Sequence, residues 1–207
     1  NDEPLLLTAD AVILAVPAGV ARDLLSPIAP HAAAPLAGIP YASVGLVTLI
    51  YRNATSPEGS GLLIPASSGL SIKAITYISQ KWPHVAAGTG LTVLRASVGR
   101  AGSERDLQRS DVELAGVAAA EVAQVTGINA RPIATRVSRW DGALPQYLPG
   151  HLSRVAAVRR ALPHGIALAG AGYDGVGIPA CIRSGQAAAT AVLRAVQPHA
   201  AGTGPAS

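Results

Sequence analysis

The sequence predicts a mixed fold of the α/β (α+β) class that is built around an antiparallel sheet. Four strand-like segments follow one another between residues 41 and 98 without an intervening helix, and this order favours hairpin-connected, antiparallel strands. Near the end of the chain, an apolar strand, a glycine-rich loop and a long helix succeed one another. The 207 residues, of which 49% are hydrophobic and 14% charged, suffice for one large domain or two small ones.

The first half of the chain is predicted to contain one short helix and five strands. Residues 11–16 form a continuous apolar run, AVILAV, which predicts a buried strand. Pro17 then stands at a first helical position, so a helix is expected over residues 18–25, whereas the proline-rich stretch 26–40 is expected to be a connection. The remaining strands are predicted at residues 41–52, 61–65, 70–79 and 91–98, with turns at Gly69 and at residues 88–90.

The second half is predicted to be mostly helical. Ser110 and Glu113 form a Ser-x-x-Glu capping box, which predicts a helix over residues 112–126 that ends at Gly127. The other predictions are a strand at 133–138, an irregular segment at 140–150, a helix at 152–162, a strand at 166–169, a helix at 179–196 and a disordered tail at 197–207.

Composition excludes several classes of function. The net charge is +4, but the sequence has no run of basic residues, and aromatic residues make up only 3%. The chain therefore lacks the sequence features of a nucleic-acid-binding protein. Cys181 is the only cysteine, which excludes an intrachain disulfide, disfavours a cysteine-based metal site and fits a reducing compartment. The apolar runs are far shorter than the roughly 18 to 20 residues that a membrane span needs. The basic excess suits an acidic ligand.

The glycine-rich loop is the strongest local feature. Gly170, Gly172, Gly175 and Gly177 let the backbone approach a ligand without steric conflict from Cβ atoms. The helix that begins at Pro179 presents free N–H groups and a partial positive charge, which stabilise phosphate or an electron-rich ring edge. By itself this segment fits either a ligand-binding loop or a tight crossover without a ligand.

Residues 168–186 (LAGAGYDGVGIPACIRSGQ) resemble the C-terminal flavin-binding segment of bacterial protoporphyrinogen and coproporphyrinogen III oxidases. The resemblance is collinear over about residues 5 to 196, and it includes residues 9–17 (ADAVILAVP), 72–84 (IKAITYISQKWPH), 94–102 (LRASVGRAG) and 140–151 (WDGALPQYLPGH). It implies part of a two-domain flavoprotein of the amine-oxidase-like class. Residues 1–25 and 140–196 would then be segments of an FAD-binding domain, and residues 26–139 would form much of an antiparallel substrate-binding domain.

The resemblance also implies roles for individual residues. The backbone of Val176, Gly177 and Ile178 would face the pyrimidine edge of the flavin, and Pro179 would open the helix behind them. Gly170 would pass near the pyrophosphate and ribitol. Trp140 would contact the flavin, and Val16 and Pro17 would lie near the cofactor. The cations Lys73, Lys81, Arg95 and Arg100 are candidates to bind substrate propionates, or they are solvated charges that protect the edges of the sheet.

Some residues near these segments are expected to have structural roles. Asp174 is expected to accept backbone N–H bonds in its turn, and His151 is expected to cap or pack at a helix start. No residue is assigned as a catalytic acid or base.

The activity implied by the resemblance is FAD-dependent oxidation of coproporphyrinogen III or protoporphyrinogen IX to the porphyrin with O2, in haem biosynthesis. The expected location is the cytoplasm, with peripheral membrane attachment as an option. Residues 5–14 contain no glycine, so this segment cannot provide the G-x-G-x-x-G turn that binds the ADP moiety in this class. Two alternatives therefore stay open. One is an inactive or complementing fragment that self-associates or pairs with an N-terminal-half partner, and the other is an amine oxidase of the same class.

Overall fold

The computed structural model describes residues 5–196, which divide into two compact units. We call residues 41–144 the central unit, and residues 5–40 with 145–196 the terminal unit. In chain order the elements are β1 (Val12–Leu14), α1 (Ala18–Leu25), α2 (Pro30–Ala33), β2 (Tyr41–Arg52), β3 (Gly61–Leu63), β4 (Ile72–Tyr77), α3 (Ile78–Lys81), β5 (Leu91–Val98), α4 (Asp111–Thr126), β6 (Ala134–Pro145), α5 (His151–Ala161), β7 (Ile166–Leu168), α6 (Ala171–Asp174) and α7 (Ile178–Val196). Short 3₁₀ helices cover Ala34–Gly38, Ala66–Ser68, Pro83–Val85 and Arg105–Gln108.

The central unit contains the predicted antiparallel sheet. Its five strands lie in the order β3-β4-β5-β2-β6, and the pairs β3–β4, β4–β5 and β2–β5 are antiparallel. Side chains alternate along β5: Leu94, Ala96 and Val98 are fully buried, whereas Arg95 between them is exposed. This alternation places a hydrophobic core on one face of the sheet only.

Helix α4 covers the buried face of that sheet. Its side chains Leu114, Ala118 and Val122 are fully buried in one hydrophobic cluster with Leu49 and Leu94 of the strands. The predicted capping box at its start is confirmed, since the Ser110 hydroxyl accepts the Glu113 N–H and the Glu113 carboxylate accepts the Ser110 N–H. Gly127 ends the helix in the left-handed conformation, as predicted.

The terminal unit is built differently. Strands β1 and β7 pair in parallel in a two-stranded sheet, with Val12 opposite Ile166 and Leu14 opposite Leu168. The prediction that β1 is buried is wrong: Val12 is 43% exposed and Ile13 is 38% exposed. Because successive strand residues point to opposite faces, β1 is uncovered on both faces within the described residues.

The stretch 26–40 is more ordered than a connection. It contains α2 and a 3₁₀ helix, and two of its four prolines, Pro30 and Pro35, stand at helix starts, where the missing N–H is tolerated. Ala32 and Leu36 are buried here. The structure therefore differs from the predicted domain boundary, because residues 26–40 pack in the terminal unit with α1 and α5.

Residues 140–150 were expected to be irregular, but the structure extends strand β6 through the first six of them, to Pro145. The strand is at the edge of the sheet, where Gly142 and a terminal proline are tolerated. Trp140 therefore lies on a strand. Among the described helices, none is long and apolar enough to cross a membrane. The predicted tail, residues 197–207, lies outside the described residues.

Candidate functional site

The candidate site lies at one edge of the parallel β1–β7 pair. Because the two strands are parallel, the chain leaves both of them at the same edge, which is where open α/β sheets bind ligands. The Tyr173 hydroxyl donates a hydrogen bond of 2.9 Å to the carbonyl oxygen of Val16, and the Tyr173 side chain is buried. The structure thus joins the Val16–Pro17 segment to the glycine-rich loop that follows β7.

The glycine-rich loop has a backbone that requires glycine. Gly170, Gly175 and Gly177 have φ values of +122°, +123° and +107°, in a region that L-residues rarely adopt. A Cβ atom added at Gly170 or at Gly177 would meet no atom within 4 Å, so space is open beside the backbone at both positions. The loop also contains one helical turn, α6, that the sequence analysis did not predict.

The start of α7 is accessible. The Gly177 carbonyl accepts the Cys181 N–H at 3.0 Å, which places Gly177 at the N-cap position. Val176 and Ile178 are 59% and 78% exposed, and the next residue, Pro179, is also exposed. The first N–H groups of a helix lack intrahelical partners. The four predicted residues 176–179 therefore form one accessible helix start that suits an anion or an electron-rich ring edge.

A polar network lies under the loop. Arg159 Nη2 donates to both carboxylate oxygens of Asp174, at 2.8 and 2.7 Å. The Ser184 hydroxyl also donates to Asp174, and it accepts the Gly170 N–H at 2.8 Å. Burial opposes ionisation, but the bonds from Arg159 and Ser184 outweigh it and hold the pKa of Asp174 below its ordinary value. The expectation that Asp174 accepts backbone N–H bonds is therefore wrong, because side chains donate to it instead.

The segment before α5 makes a second contact with the glycine-rich loop. The Tyr147 hydroxyl donates to the Ala171 carbonyl, and the Tyr147 ring stacks on His151 with centroids 4.0 Å apart. His151 is only 4% exposed, so of its two expected roles the structure shows packing. Burial, and then the charge of Arg154, lower the pKa of His151. Within the described residues, its two ring nitrogens lack hydrogen-bond partners.

Two of the four cations predicted to bind substrate are engaged with backbone. The Arg100 guanidinium donates to the carbonyls of Ile64, Leu70 and Ile72 at 2.9 to 3.1 Å and lies 3.5 Å from that of Ser71. The Lys73 ammonium donates to the carbonyl of Gly99. Burial, and then the nearby Arg100, lower the pKa of Lys73, although Glu104 acts in the opposite sense. Arg100 thus stabilises the loop between β3 and β4, whereas Lys73 joins β4 to the residue that follows β5.

The other two cations are more accessible. Arg95 is exposed on the uncovered face of the central sheet, directly between Thr48 of β2 and Thr76 of β4 in the strand register. The Lys81 ammonium lies 4.8 Å from the centroid of the Trp82 ring, and Lys81 and Thr76 line a cavity of about 280 Å³. Trp140 lies on β6 of the central unit and is 55% exposed. Its expected contact with a flavin stays a prediction.

These features together define a class of protein. A parallel strand pair that ends at a glycine-rich loop and a helix start, with a separate antiparallel sheet, is an arrangement shared with flavin-dependent amine oxidases. The crystal structure of cyclohexylamine oxidase from Brevibacterium oxydans IH-35A has a similar fold, with a TM-score of 0.67 over 89% of this chain and 42% of that one, at 18% identity. The chain belongs to the family of flavin containing amine oxidoreductases, whose model matches residues 1–193.

More specific relatives are porphyrinogen oxidases. Coproporphyrinogen III oxidase of Mycobacterium tuberculosis H37Rv is 40% identical over 93% of this chain and 42% of its own length. Human protoporphyrinogen oxidase is 33% identical over 90% of this chain and 41% of its own length. A crystal structure from Exiguobacterium sp. 255-15, named provisionally as a protoporphyrinogen oxidase, has a TM-score of 0.76 at 33% identity, over 90% of this chain and 42% of that one. The chain thus spans about 42% of the length of these relatives.

The residues present fit one part of the cofactor that the family implies. The open space at Gly170 and Gly177 and the accessible start of α7 suit the polar edge of a flavin ring. Residues 170–175 (GAGYDG) have the G-x-G-x-x-G spacing, but the long helix α7 begins only at Ile178. Residues 5–14, around the first strand, contain no glycine that could form such a turn for an adenine dinucleotide half. Among the described residues, no group of three or more His, Cys, Asp or Glu side chains could hold a metal ion.

Proposed function

We propose that this chain is the C-terminal part of a cytoplasmic, FAD-dependent enzyme that oxidises coproporphyrinogen III or protoporphyrinogen IX with O2 during haem biosynthesis. The observation that supports this most strongly is the loop 170–177, because its positive φ angles and open space lie beside an accessible helix start. Relatives named coproporphyrinogen III oxidase and protoporphyrinogen oxidase match nearly the whole chain.

In this proposal the flavin supplies the redox chemistry and the protein positions it. That chemistry would be three two-electron oxidations, in which the macrocycle loses six electrons and six protons in total and three O2 molecules become three molecules of hydrogen peroxide. The Val176–Ile178 backbone would donate hydrogen bonds to the ring edge, where the positive end of α7 favours added negative charge. Val16 and Pro17 would close the same edge.

The uncovered face of the central sheet supports a substrate role for that unit. A porphyrinogen is a broad apolar ring with carboxylates at its rim, so it needs an apolar surface and cations beside it. Leu46, Ile50 and Val93 are half-buried on the same face as Arg95. We therefore favour Arg95 and Lys81 over Lys73 and Arg100 as partners for propionates, because the latter two are already bonded to backbone carbonyls.

The exposure of β1 supports a polypeptide partner for the terminal unit. Both faces of this strand are uncovered in the described residues, and an exposed strand of a parallel sheet is a ready site for pairing. The partner that we propose is the N-terminal half of the relatives' length, with self-association of the chain as the alternative. A chain without that partner is proposed to retain no flavin and no activity.

Amine oxidation is the less favoured activity. Amine oxidases of this class place aromatic side chains around the substrate next to the flavin. Tyr173 is the only aromatic residue between 166 and 196. Its side chain is buried and its hydroxyl bonds to Val16, so it is not free to line a substrate cage.

The test of the proposal is Gly177→Val in the full-length flavoprotein that contains this chain. We expect the variant to purify without flavin, whereas Gly127→Val, which introduces a side chain at a similar positive φ in the central unit, should keep its flavin absorbance. Normal flavin content in Gly177→Val would show that the backbone does not approach the cofactor there. The unmodified protein should convert coproporphyrinogen to a fluorescent porphyrin, and turnover of amines alone would reject the proposed activity.

A further inference from the structure

We infer that Asp174 is a positioning residue that fixes the backbone of the glycine-rich loop, and that it does so through Ser184. The inference deepens the proposed function and rests on it, because the loop is the segment that we assign to the flavin. The Asp174 carboxylate acts through its hydrogen bonds with Arg159 and Ser184.

The first step is the anchoring of the Asp174 carboxylate. Arg159, on α5, donates one N–H group to both oxygens of Asp174, at 2.7 and 2.8 Å. The Asp174 side chain is 26% exposed and the Arg159 side chain is 42% exposed, so water weakens the pair only in part. Hydrogen bonds between ionised partners are the stronger kind. Helix α5 therefore fixes the position of a carboxylate that lies at the end of α6.

Ser184 links the fixed carboxylate to the backbone of the loop. The Ser184 side chain is 2% exposed, so it has no competing water. Its hydroxyl has one proton, which it donates to Asp174 Oδ2, and the lone pairs then accept the Gly170 N–H at 2.8 Å. An ionised carboxylate can only accept. The charge on Asp174 therefore sets the direction of the Ser184 hydroxyl and makes it an acceptor for Gly170.

The backbone of Gly170 needs such a restraint. Gly170 has a φ of +122° and a ψ of −179°, a conformation accessible essentially to glycine alone. Glycine is the most flexible residue, so a backbone of this shape persists only where neighbouring groups fix it. The loop is also fixed through Tyr173 to Val16 and through Tyr147 to Ala171. Among the described residues, only the Asp174–Ser184 pair reaches the amide of Gly170 itself.

The test is amide hydrogen exchange of the 207-residue chain, measured for residues 170–174. We expect Asp174→Asn and Ser184→Ala each to accelerate exchange of the Gly170 amide by about ten-fold or more, since a charge-assisted bond is lost. Asp174→Glu, which keeps the charge, should restore most of the protection. The matched control is Asp23→Asn, which removes another Asp–Arg pair of the terminal unit, on α1, and should leave the Gly170 amide unchanged.

The flavin readout separates this inference from the proposed function. In the full-length protein we expect Asp174→Asn to weaken flavin retention at least ten-fold and Asp174→Glu to weaken it less. Unchanged exchange in both Asp174→Asn and Ser184→Ala would overturn the positioning role, whatever the flavin result. Faster exchange with unchanged flavin retention would overturn its link to the cofactor. If the unmodified protein binds no flavin, the proposed function fails, and the exchange data alone still decide whether Asp174 fixes the loop.

Discussion

The two units of the chain bury their residues in different ways. In the central unit, large side chains such as Tyr51, Leu49 and Leu94 form one cluster between the sheet and α4. In the terminal unit, β7 and α7 pack through Ala167, Ala169, Ala188 and Val192, and β1 is uncovered on both faces. Burial of a large apolar side chain contributes about 1.5 to 3 kcal/mol, and an alanine methyl contributes much less.

The comparison shows that the candidate site lies in the unit that has fewer large, fully buried side chains. The glycine-rich loop 170–177, the Asp174 network and the accessible helix start all belong to the terminal unit, whereas the central unit contains most of the large buried residues. The terminal unit still has large, fully buried side chains, among them Leu25, Leu36 and Val158.

The largest difference should appear in amide hydrogen exchange of the unmodified chain. We expect amides of β2 and β5 to exchange slower than those of β1 and β7 on the order of 100-fold, because opening the central sheet exposes a large core and opening the two-stranded sheet does not. Mass spectrometry of exchanged peptides measures this directly. Equal protection of the two strand pairs would contradict the comparison.

A smaller effect should follow from Arg100→Ala, which removes the donors to the backbone carbonyls of the β3–β4 loop. We expect a loss of about 3 kcal/mol in the free energy of unfolding, because partly buried carbonyls lose charge-assisted bonds. Arg95→Ala, at an exposed position of β5, should change stability by no more than about 0.5 kcal/mol. Denaturant unfolding of both variants is the measurement, and equal midpoints would refute the structural role of Arg100.

The smallest expected effect concerns pH and the terminal unit. The pKa of buried His151 lies below its ordinary value, so on acidification below about pH 6.5 the unfolded chain takes up a proton before the folded chain does. Stability should therefore fall as pH falls from neutral to about 5.5. In His151→Phe, which keeps a ring against Tyr147, this contribution should vanish.

The control for this pH effect is His164→Asn, because His164 is exposed. Its melting temperature should fall with pH as that of the unmodified chain does. If the melting temperature of His151→Phe falls with pH as steeply as that of the unmodified chain, His151 is not the cause of the pH effect.

Local patterns predicted most of the fold. The strands β2 and β5, the capping box at Ser110 and the stop at Gly127 are encoded within a few residues, and the structure confirms them. The stretch 26–40 and the extension of β6 through Trp140 were missed. Prolines are common to loops and to helix starts, and only tertiary packing decides between the two.

The candidate site was predicted in part. Gly170, Gly177 and the residues of the helix start lie in one run, and resemblance to a family identified them. Arg159 and Tyr147 were missed, because their partners Asp174 and Ala171 are many residues away and no local pattern links them. Ser184 is in the matched segment, but its bond to Gly170 depends on the curvature of the chain between them.

The bond between Tyr173 and Val16 has a consequence for biosynthesis. The two residues are 157 positions apart, and all of the central unit lies between them in the sequence. During translation the central unit can therefore emerge and fold while Val16 still has no partner, and the bond between Tyr173 and Val16 can form only after Tyr173 leaves the ribosome. Closure of so long a loop is slow, so β1 stays accessible to chaperones until the glycine-rich loop has been made.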